Sequence, residues 1–419
     1  MAEIMQSNKV LDFVQHLHFA EHPSSIQKEA RQALNAMDFP TTRVEDWKYT
    51  RVTRITNKSF KQEKTTVDAQ PFFIQGEKMH RLVFINGYFD QDQSIIHEDD
   101  ALSFHEIHDL DSAYYNDLME DVEENVFSLI NKAFANEGKY IRVAKNKKAA
   151  FPIQIIHILN GSTNIANSRF FFQAEQGSKA DVYLTFNSVD SENCLTNIAL
   201  EGEIQGNAKL TIAKVQAENT SDFHLSNEQF IQQSDSNFEI NTLTIGGLLV
   251  RNGLNILVDG QNCYTELNGA YLGRQKQHLD NHTFVDHLYS NCTSSETYKG
   301  VMDDKSTGVF NGKVVVRQDA QKIEAYQSNG NILLSDTSTV NSKPELEIYA
   351  DDVRCSHGST TGQLDEQAVF YLKSRGLSEK SARKLLVSAF IGEVLDKIEN
   401  ESLRKYIDDL FMKEFGWEF

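Results

Sequence analysis

Gly177-Ser178-Lys179-Ala180-Asp181-Val182-Tyr183-Leu184-Thr185-Phe186 joins a small polar turn to an alternating apolar run. The pattern returns at Gly206-Asn207-Ala208, followed by Lys209-Leu210-Thr211-Ile212-Ala213. It returns again at Ser234-Asp235-Ser236-Asn237, followed by Phe238-Glu239-Ile240-Asn241-Thr242-Leu243. Residues i and i+2 of a strand share a face, so each run predicts a strand with one apolar side. The turns recur at roughly 25–30 residues, a spacing expected of stacked coils in a solenoid. The texture holds from about Phe151 to Tyr349, bracketed by Pro152 and Pro344, and no long helical pattern interrupts it. A β-sandwich or barrel and a β-helix both fit. The length of the run favours the β-helix.

The flanks read differently. Val10, Phe13, Val14 and Leu17 recur at helical spacing, as do Ile26, Ala30, Ala33, Leu34 and Met37, with Pro23 and Pro40 as punctuation. Asn86-Gly87 between Leu82-Val83-Phe84-Ile85 and Tyr88-Phe89 predicts a hairpin. Residues from about Leu110 to Phe134 read as helical. Beyond Thr361 the period becomes 3.6: Leu386, Phe390, Val394 and Ile398 form one stripe, with Val387, Ile391 and Leu395 beside it. Gly376 and Ser378 separate this helix from one over Glu366 to Arg375, as a C′ glycine and an N-cap would. Leu403, Tyr406, Ile407, Leu410 and Phe411 lead on to Phe415 and Trp417. The expected division is a mainly helical region with a hairpin over 1–150, a β core over 151–361 and a helical region over 362–419.

Composition narrows the function. The 419 residues include 41 basic and 60 acidic side chains, a net charge of −19, which argues against nucleic acid or an anionic membrane as partner. No apolar stretch approaches the ~20 residues of a membrane-spanning helix. Met1 to Val14 lacks the basic-then-apolar pattern of a secretory leader. The four cysteines (Cys194, Cys263, Cys292 and Cys355) have no C-x-x-C spacing, which argues against a disulfide framework and against a self-contained zinc or iron–sulfur site. A reducing cytoplasm is the expected compartment.

The candidate site lies in Tyr349-Ala350-Asp351-Asp352-Val353-Arg354-Cys355-Ser356-His357-Gly358. In a strand, Cys355 and His357 present a thiol and an imidazole to one small volume, a pairing that suits a thiophilic metal such as iron or zinc. Two ligands are half a site, so the remainder must come from elsewhere, from another chain. C-x-H alone also fits a structural cysteine beside a hydrogen-bonded histidine. His278, His282 and His287 read as packing or surface histidines, because i, i+4 spacing does not stack side chains in a strand. Gly308-Val309-Phe310-Asn311-Gly312-Lys313-Val314 has too few residues between its glycines for a phosphate loop and Val where Ser or Thr should follow Lys. Glu45-Asp46-Trp47-Lys48-Tyr49 reads as a helix end with a packing tryptophan.

Several runs together are more specific. They are Lys343-Pro344-Glu345-Leu346-Glu347-Ile348 continuing through Tyr349 to Gly358, Gly362-Gln363-Leu364-Asp365-Glu366, and Phe370-Tyr371-Leu372-Lys373-Ser374-Arg375-Gly376. Val285-Asp286-His287, Tyr298-Lys299-Gly300 and Val309-Phe310-Asn311-Gly312-Lys313 join them. Through these runs the chain resembles the SufB/SufD family of the SUF iron–sulfur cluster assembly scaffold, and Arg43 to Thr50 resembles the N-terminal motif of its SufD branch. Ser359-Thr360-Thr361 departs conservatively from the Ala-Thr-Val common in the family. The resemblance implies a mainly β fold, a right-handed parallel β-helix core flanked by N- and C-terminal helical domains. It implies a cytoplasmic complex with SufB and the ATPase SufC, fed with sulfur by a cysteine desulfurase. A nascent cluster, or iron, would sit at the SufB–SufD interface on His357 and Cys355. It allows reduced flavin in the complex, and ATP enters only through SufC. The C-terminal helices, with Glu366, Phe370, Arg375, Leu386, Phe390 and Val394, would dock SufC. A homodimer is the expectation when SufB is absent. The competing expectations are a stand-alone β-helix enzyme acting on a polysaccharide or acyl group, and a SufB-like chain that carries the cluster by itself.

Overall fold

A computed structural model describes residues 9–415, apart from residues 22, 121, 123 and 136. Trp417 and the first eight residues of the N-terminal stretch lie outside the described residues. From Ile153–Ser162 onward, successive strands alternate between a ten-stranded and a nine-stranded sheet, so every second strand in the chain is a neighbour in space. Leu249–Val258 lies parallel and in register on Phe223–Gln232, and His278–His287 on Leu249–Val258. The result is a parallel β-helix of about eight turns with helices at both ends, the fold class expected from the sequence.

The turns explain the repeat. Gly177 (φ 70°), Asn207 (59°), Asp235 (63°), Asn262 (59°) and Asn291 (63°) occupy the left-handed region, one per coil, on one side of the solenoid. An L-residue there costs roughly 1–2 kcal/mol, least for Gly, Asn and Asp, so the small polar turn is chosen by backbone geometry. Each turn also hydrogen-bonds to the next: Asn207 N–H donates to Ser234 O (3.2 Å) and Asp235 N–H to Gln261 O (2.8 Å). Alternate side chains of both sheets fill the interior, from Leu82 and Phe84 through Val182, Leu210, Leu254 and Val285 to Val316 and Ala325.

The helical flanks cover the outer walls. The helices Lys9–Val14, Ser25–Ala33 and Val126–Phe134 bury Val10, Phe13, Ala30, Phe127 and Ile130 against Ile165, Leu195, Phe223 and Leu249. The expected helical stretch after Leu110 is two short helices, Ser112–Leu118 and Val126–Phe134. The Asn86-Gly87 hairpin forms, with φ of 48° and 82° at its two turn residues. Its first strand, His80–Ile85, also pairs parallel with Ile153–Ser162, and Glu137–Val143 pairs parallel with Ile165–Ala174. Both sheets therefore reach back before residue 151. At the other end, Glu366–Ser374, Glu379–Leu395 and Glu401–Phe415 are helices, with Gly376 at φ 98° and Ser378 Oγ accepting from Ser381 N–H (3.1 Å). Among the described residues no helix is long and apolar enough to cross a membrane.

The two ends of the solenoid differ. At the start, antiparallel partners close the sheets: Tyr88–Ile95 on His80–Ile85, and Leu102–Glu106 on Glu137–Val143. At the far end the last strands, Thr339–Ile348 and Val353–Gln363, carry no further neighbour among the described residues and are half to fully exposed. If the left-handed turns set the coil, Asn291→Ala should lower stability by about 1–2 kcal/mol relative to Asn291→Gly. Denaturant melts of the two variants check this, and equal midpoints would refute it.

Candidate functional site

Cys355 and His357 both lie on the last strand, Val353–Gln363, two residues apart and hence on one face. That face is the inner one: Val353 and Cys355 pack against the interior cluster, and Ser359 Oγ meets Ser342 Oγ of the facing strand at 2.7 Å. Cys355 is half-buried and His357 exposed, so the interior opens to solvent between them. Burial pushes the Cys355 thiol above its ordinary value, against a lowering hydrogen bond from the Ala325 backbone. The thiol is therefore protonated at neutral pH, and binding a soft metal would displace that proton.

The other cysteines sit elsewhere. Cys194, Cys263 and Cys292 are buried in turns, and Cys263 N–H donates to Cys292 Sγ (3.4 Å) on the adjacent coil. Among the described residues no group of three or more His, Cys, Asp or Glu side chains is arranged to hold a metal. Cys355 and His357 remain a pair.

The three histidines upstream divide. His278 and His282 point outward around Asp280: His278 Nε2 meets Thr50 Oγ1 (2.8 Å), and His282 Nε2 meets Asp280 Oδ1 (3.0 Å). Thr50 Oγ1 and Arg251 Nη1 also donate to Asp280, each at 2.5 Å. Burial raises the Asp280 carboxyl, but His282 and Arg251 beside it hold it well below the usual range. Arg251 covers the Trp47 ring at 3.9 Å, and Lys343 Nζ reaches Glu45 at 2.8 Å. The charged-aromatic cluster at Glu45 to Thr50 is thus a strap across the outer wall, extending to the penultimate strand. His287 faces inward and bonds Ser294 Oγ (3.0 Å). Gly308 to Lys313 runs along the strand Thr307–Val316, with no loop to cradle a phosphate.

The C-terminal residues divide too. Leu386, Phe390 and Val394 pack with Val301, Leu272 and Leu243 on the solenoid wall, and Lys299 Nζ stands 4.5 Å over the Phe390 ring. This stripe is core in the folded chain. Phe370 is 73% exposed and Tyr371 57%, and Leu385 on the next helix is also exposed. Glu366 pairs with Arg383 (2.8 Å), and the Arg375 guanidinium lies 5.3 Å over the Tyr371 ring. Phe370, Tyr371 and Leu385 are the large apolar side chains that the helices Glu366–Ser374 and Glu379–Leu395 leave exposed among the described residues.

Sequence reasoning missed what lies beneath His357. Following the register inward, His357 stands on Gln327, Gln327 on Glu296, and Glu296 on Leu267. Gln327 Nε2 donates to Glu296 Oε2 at 2.6 Å. Burial pushes the Glu296 carboxyl up to about 7, opposed by hydrogen bonds from Thr283 and Gln327. A Cβ on Gly312 would stand 2.3 Å from Gln327 Nε2 and 3.0 Å from Glu296 Oε2, so glycine provides the room for this pair. The signal was present as the coil spacing, but only a fixed register converts it into a column.

Comparison with known proteins follows the same outline. A family described as "SUF system FeS cluster assembly, SufBD core domain" matches residues 157–390, and "SufBD protein N-terminal region" matches 14–155. The chain is 27% identical to the iron–sulfur cluster assembly protein SufD of Escherichia coli K12, over 97% of each chain. It is 29% identical to the SufBD family protein slr0076 of Synechocystis, over 90% of this chain and 87% of that one. It is 31% identical to the chloroplastic protein ABCI7 of Arabidopsis thaliana, over 67% of this chain and 61% of that one.

The raised Glu296 carboxyl has a stability consequence with a definite sign. The folded state prefers the protonated form, so this group's contribution is fully present below the unfolded value and is lost as pH rises through about 7. Glu296→Gln should therefore be more stable than the parent at pH 8, by up to about 3 kcal/mol, and little different at pH 4. Chemical denaturation at the two pH values checks this, and a pH-independent difference would refute it.

Proposed function

Since the chain belongs to the SufBD family of SUF-system iron–sulfur cluster assembly proteins, we propose that it is a non-catalytic scaffold subunit whose open solenoid end completes a cluster-forming site with a partner. The observation that carries this reading is the terminal coil: an edge strand, paired on one side only among the described residues, bearing Cys355 and His357 on its inward face. An uncapped parallel edge is a template for another strand, and proteins normally blunt or cover such edges. A second β-helix of the same family, SufB, would cover it and supply the ligands that Cys355 and His357 lack. The cluster, or its iron, is cargo assembled in that seam from sulfur delivered by a cysteine desulfurase. Any flavin reductant would act within the same complex.

The C-terminal helices take the ATPase, SufC. Phe370, Tyr371 and Leu385 offer the apolar contact, joined by the charges of Glu366 and Arg375. Leu386, Phe390 and Val394 couple that surface to the solenoid wall, so motion of the ATPase would be felt at the coils they touch. ATP thus acts through SufC, in the cytoplasm, and a homodimer through the open end forms when SufB is absent.

Anaerobic co-expression with SufB and SufC homologues tests the reading. A three-component complex that yields a cluster is expected, and a chain indifferent to both partners would overturn the scaffold role. His357→Ala should leave the complex intact and lower cluster yield, while an unchanged yield would remove His357 from the site. Phe370→Asp should release SufC without altering the melting temperature of the isolated chain. Retained SufC binding would place the docking surface elsewhere.

A further inference from the structure

The column beneath His357 changes character along the solenoid. Read through the register it is Ile153, Val182, Ile212, Ile240, Leu267, Glu296, Gln327, His357. Five coils carry an aliphatic residue at this inward position, and the last three carry an acid, an amide and an imidazole. Glu296 and Gln327 are 4% and 3% exposed. Packing alone would be served better by continuing the aliphatic column, since burying a carboxyl or amide without full hydrogen bonding costs free energy.

The hydrogen bonds of this column have a direction. Gln327 spends one N–H on Glu296 Oε2, and its Oε1 is buried with no protein partner. The next residue in the column is His357. Across the interior, Gly312 gives the pair its room, and Pro344 stacks on Gly312 in the last coil. The titratable groups sharing this stretch of interior are Tyr298, Tyr271 and Glu228. Glu228 is already neutralised by Lys214, its buried ion-pair partner. Among the described residues no cation pairs with Glu296.

The geometry points to Gln327 and Glu296 as positioning residues for His357: Gln327, anchored by Glu296, offers its carbonyl oxygen to one imidazole nitrogen and thereby directs the other to the cargo metal. Ligating histidines generally bond their second nitrogen to such an acceptor, which fixes tautomer and ring orientation. The Gln327–Glu296 pair lies inside the solenoid, and so is in place before any partner covers the end. This inference rests on the proposed role of His357 for its purpose, but its structural content stands apart from that role.

Two measurements separate them. In the isolated full-length chain, the rate at which diethyl pyrocarbonate modifies His357 at pH 7 is followed by peptide mass spectrometry. Gln327→Leu and Glu296→Leu, which extend the aliphatic column, should change that rate, and Glu296→Gln, which keeps an acceptor for the Gln327 N–H, should restore it. Identical rates in all four proteins would overturn the positioning role. In the reconstituted complex, Gln327→Leu should lower cluster yield ~10-fold or more. In the His357→Ala background it should have no further effect, because residues acting through one another are not additive. Additive losses would overturn the inference. A changed modification rate combined with full cluster yield in His357→Ala would instead remove the proposed function and leave the column standing.

Discussion

Everything in this chain depends on in-register parallel stacking. Once Leu249 stands on Phe223 and His278 on Leu249, every residue of a strand stands on a fixed counterpart in the coil below. The backbone hydrogen bonds of each coil are satisfied by its neighbours, so the fold has no independent strand, only columns. An inward column must be apolar or must satisfy itself along the stack. The interior does both: Val182, Ile212 and Ile240 fill one stretch, while Lys214, Glu228, Ser226 and Asn252 close a buried polar set in another. The same constraint sets the turns, where a left-handed residue must recur once per coil.

How much of this was legible in the sequence follows from which signals are local. The turns Gly177-Ser178, Gly206-Asn207 and Ser234-Asp235 carry backbone demands that any one of them reveals, and their spacing shows the solenoid. Gly376 and Ser378 likewise mark a helix boundary by chemistry confined to a few residues. The pairing of His80–Ile85 with Ile153–Ser162 was not legible, because a hairpin strand gives no local sign of a parallel partner beyond its own turn. The stripe Leu386, Phe390, Val394 shows an apolar helix face but not what covers it, and here the solenoid wall does. At the candidate site, Cys355 and His357 announce themselves by spacing, whereas Glu296 and Gln327 become neighbours of His357 only through long-range register.

The two ends of the solenoid then differ for a physical reason. Stacked repeats need terminal units that stop the stacking, because an open parallel edge presents unsatisfied amides and carbonyls. The first coils are stopped by antiparallel partners, and the helix Val126–Phe134 covers the nearby wall. Among the described residues the last coil has no such closure. Its outer side is nevertheless tied to the body, where Glu45 reaches Lys343, and the C-terminal helices that follow it are held on earlier coils by Lys299 to Glu393 and Arg274 to Glu414. A rigidly held but unclosed end is suited to meeting another surface without rearranging first, since a preorganised site loses less ordering entropy on association.

The buried Glu296 sharpens that reading. Leu267 directly beneath it shows what the position accepts when only packing matters. A carboxyl in its place, pushed up to about 7 by burial, weakens the fold at neutral pH. Lys214 and Glu228, deeper in the same interior, show how the chain neutralises a buried charge when it needs one there. Glu296 is not neutralised in that way: among the described residues no cation pairs with it, and its Oε2 accepts from the amide that stands under His357. Sites where a sequence departs from its own local rule at a cost in stability are where function is expected. In this column the departure begins two coils below the open end and runs, residue on residue, to the imidazole at its mouth.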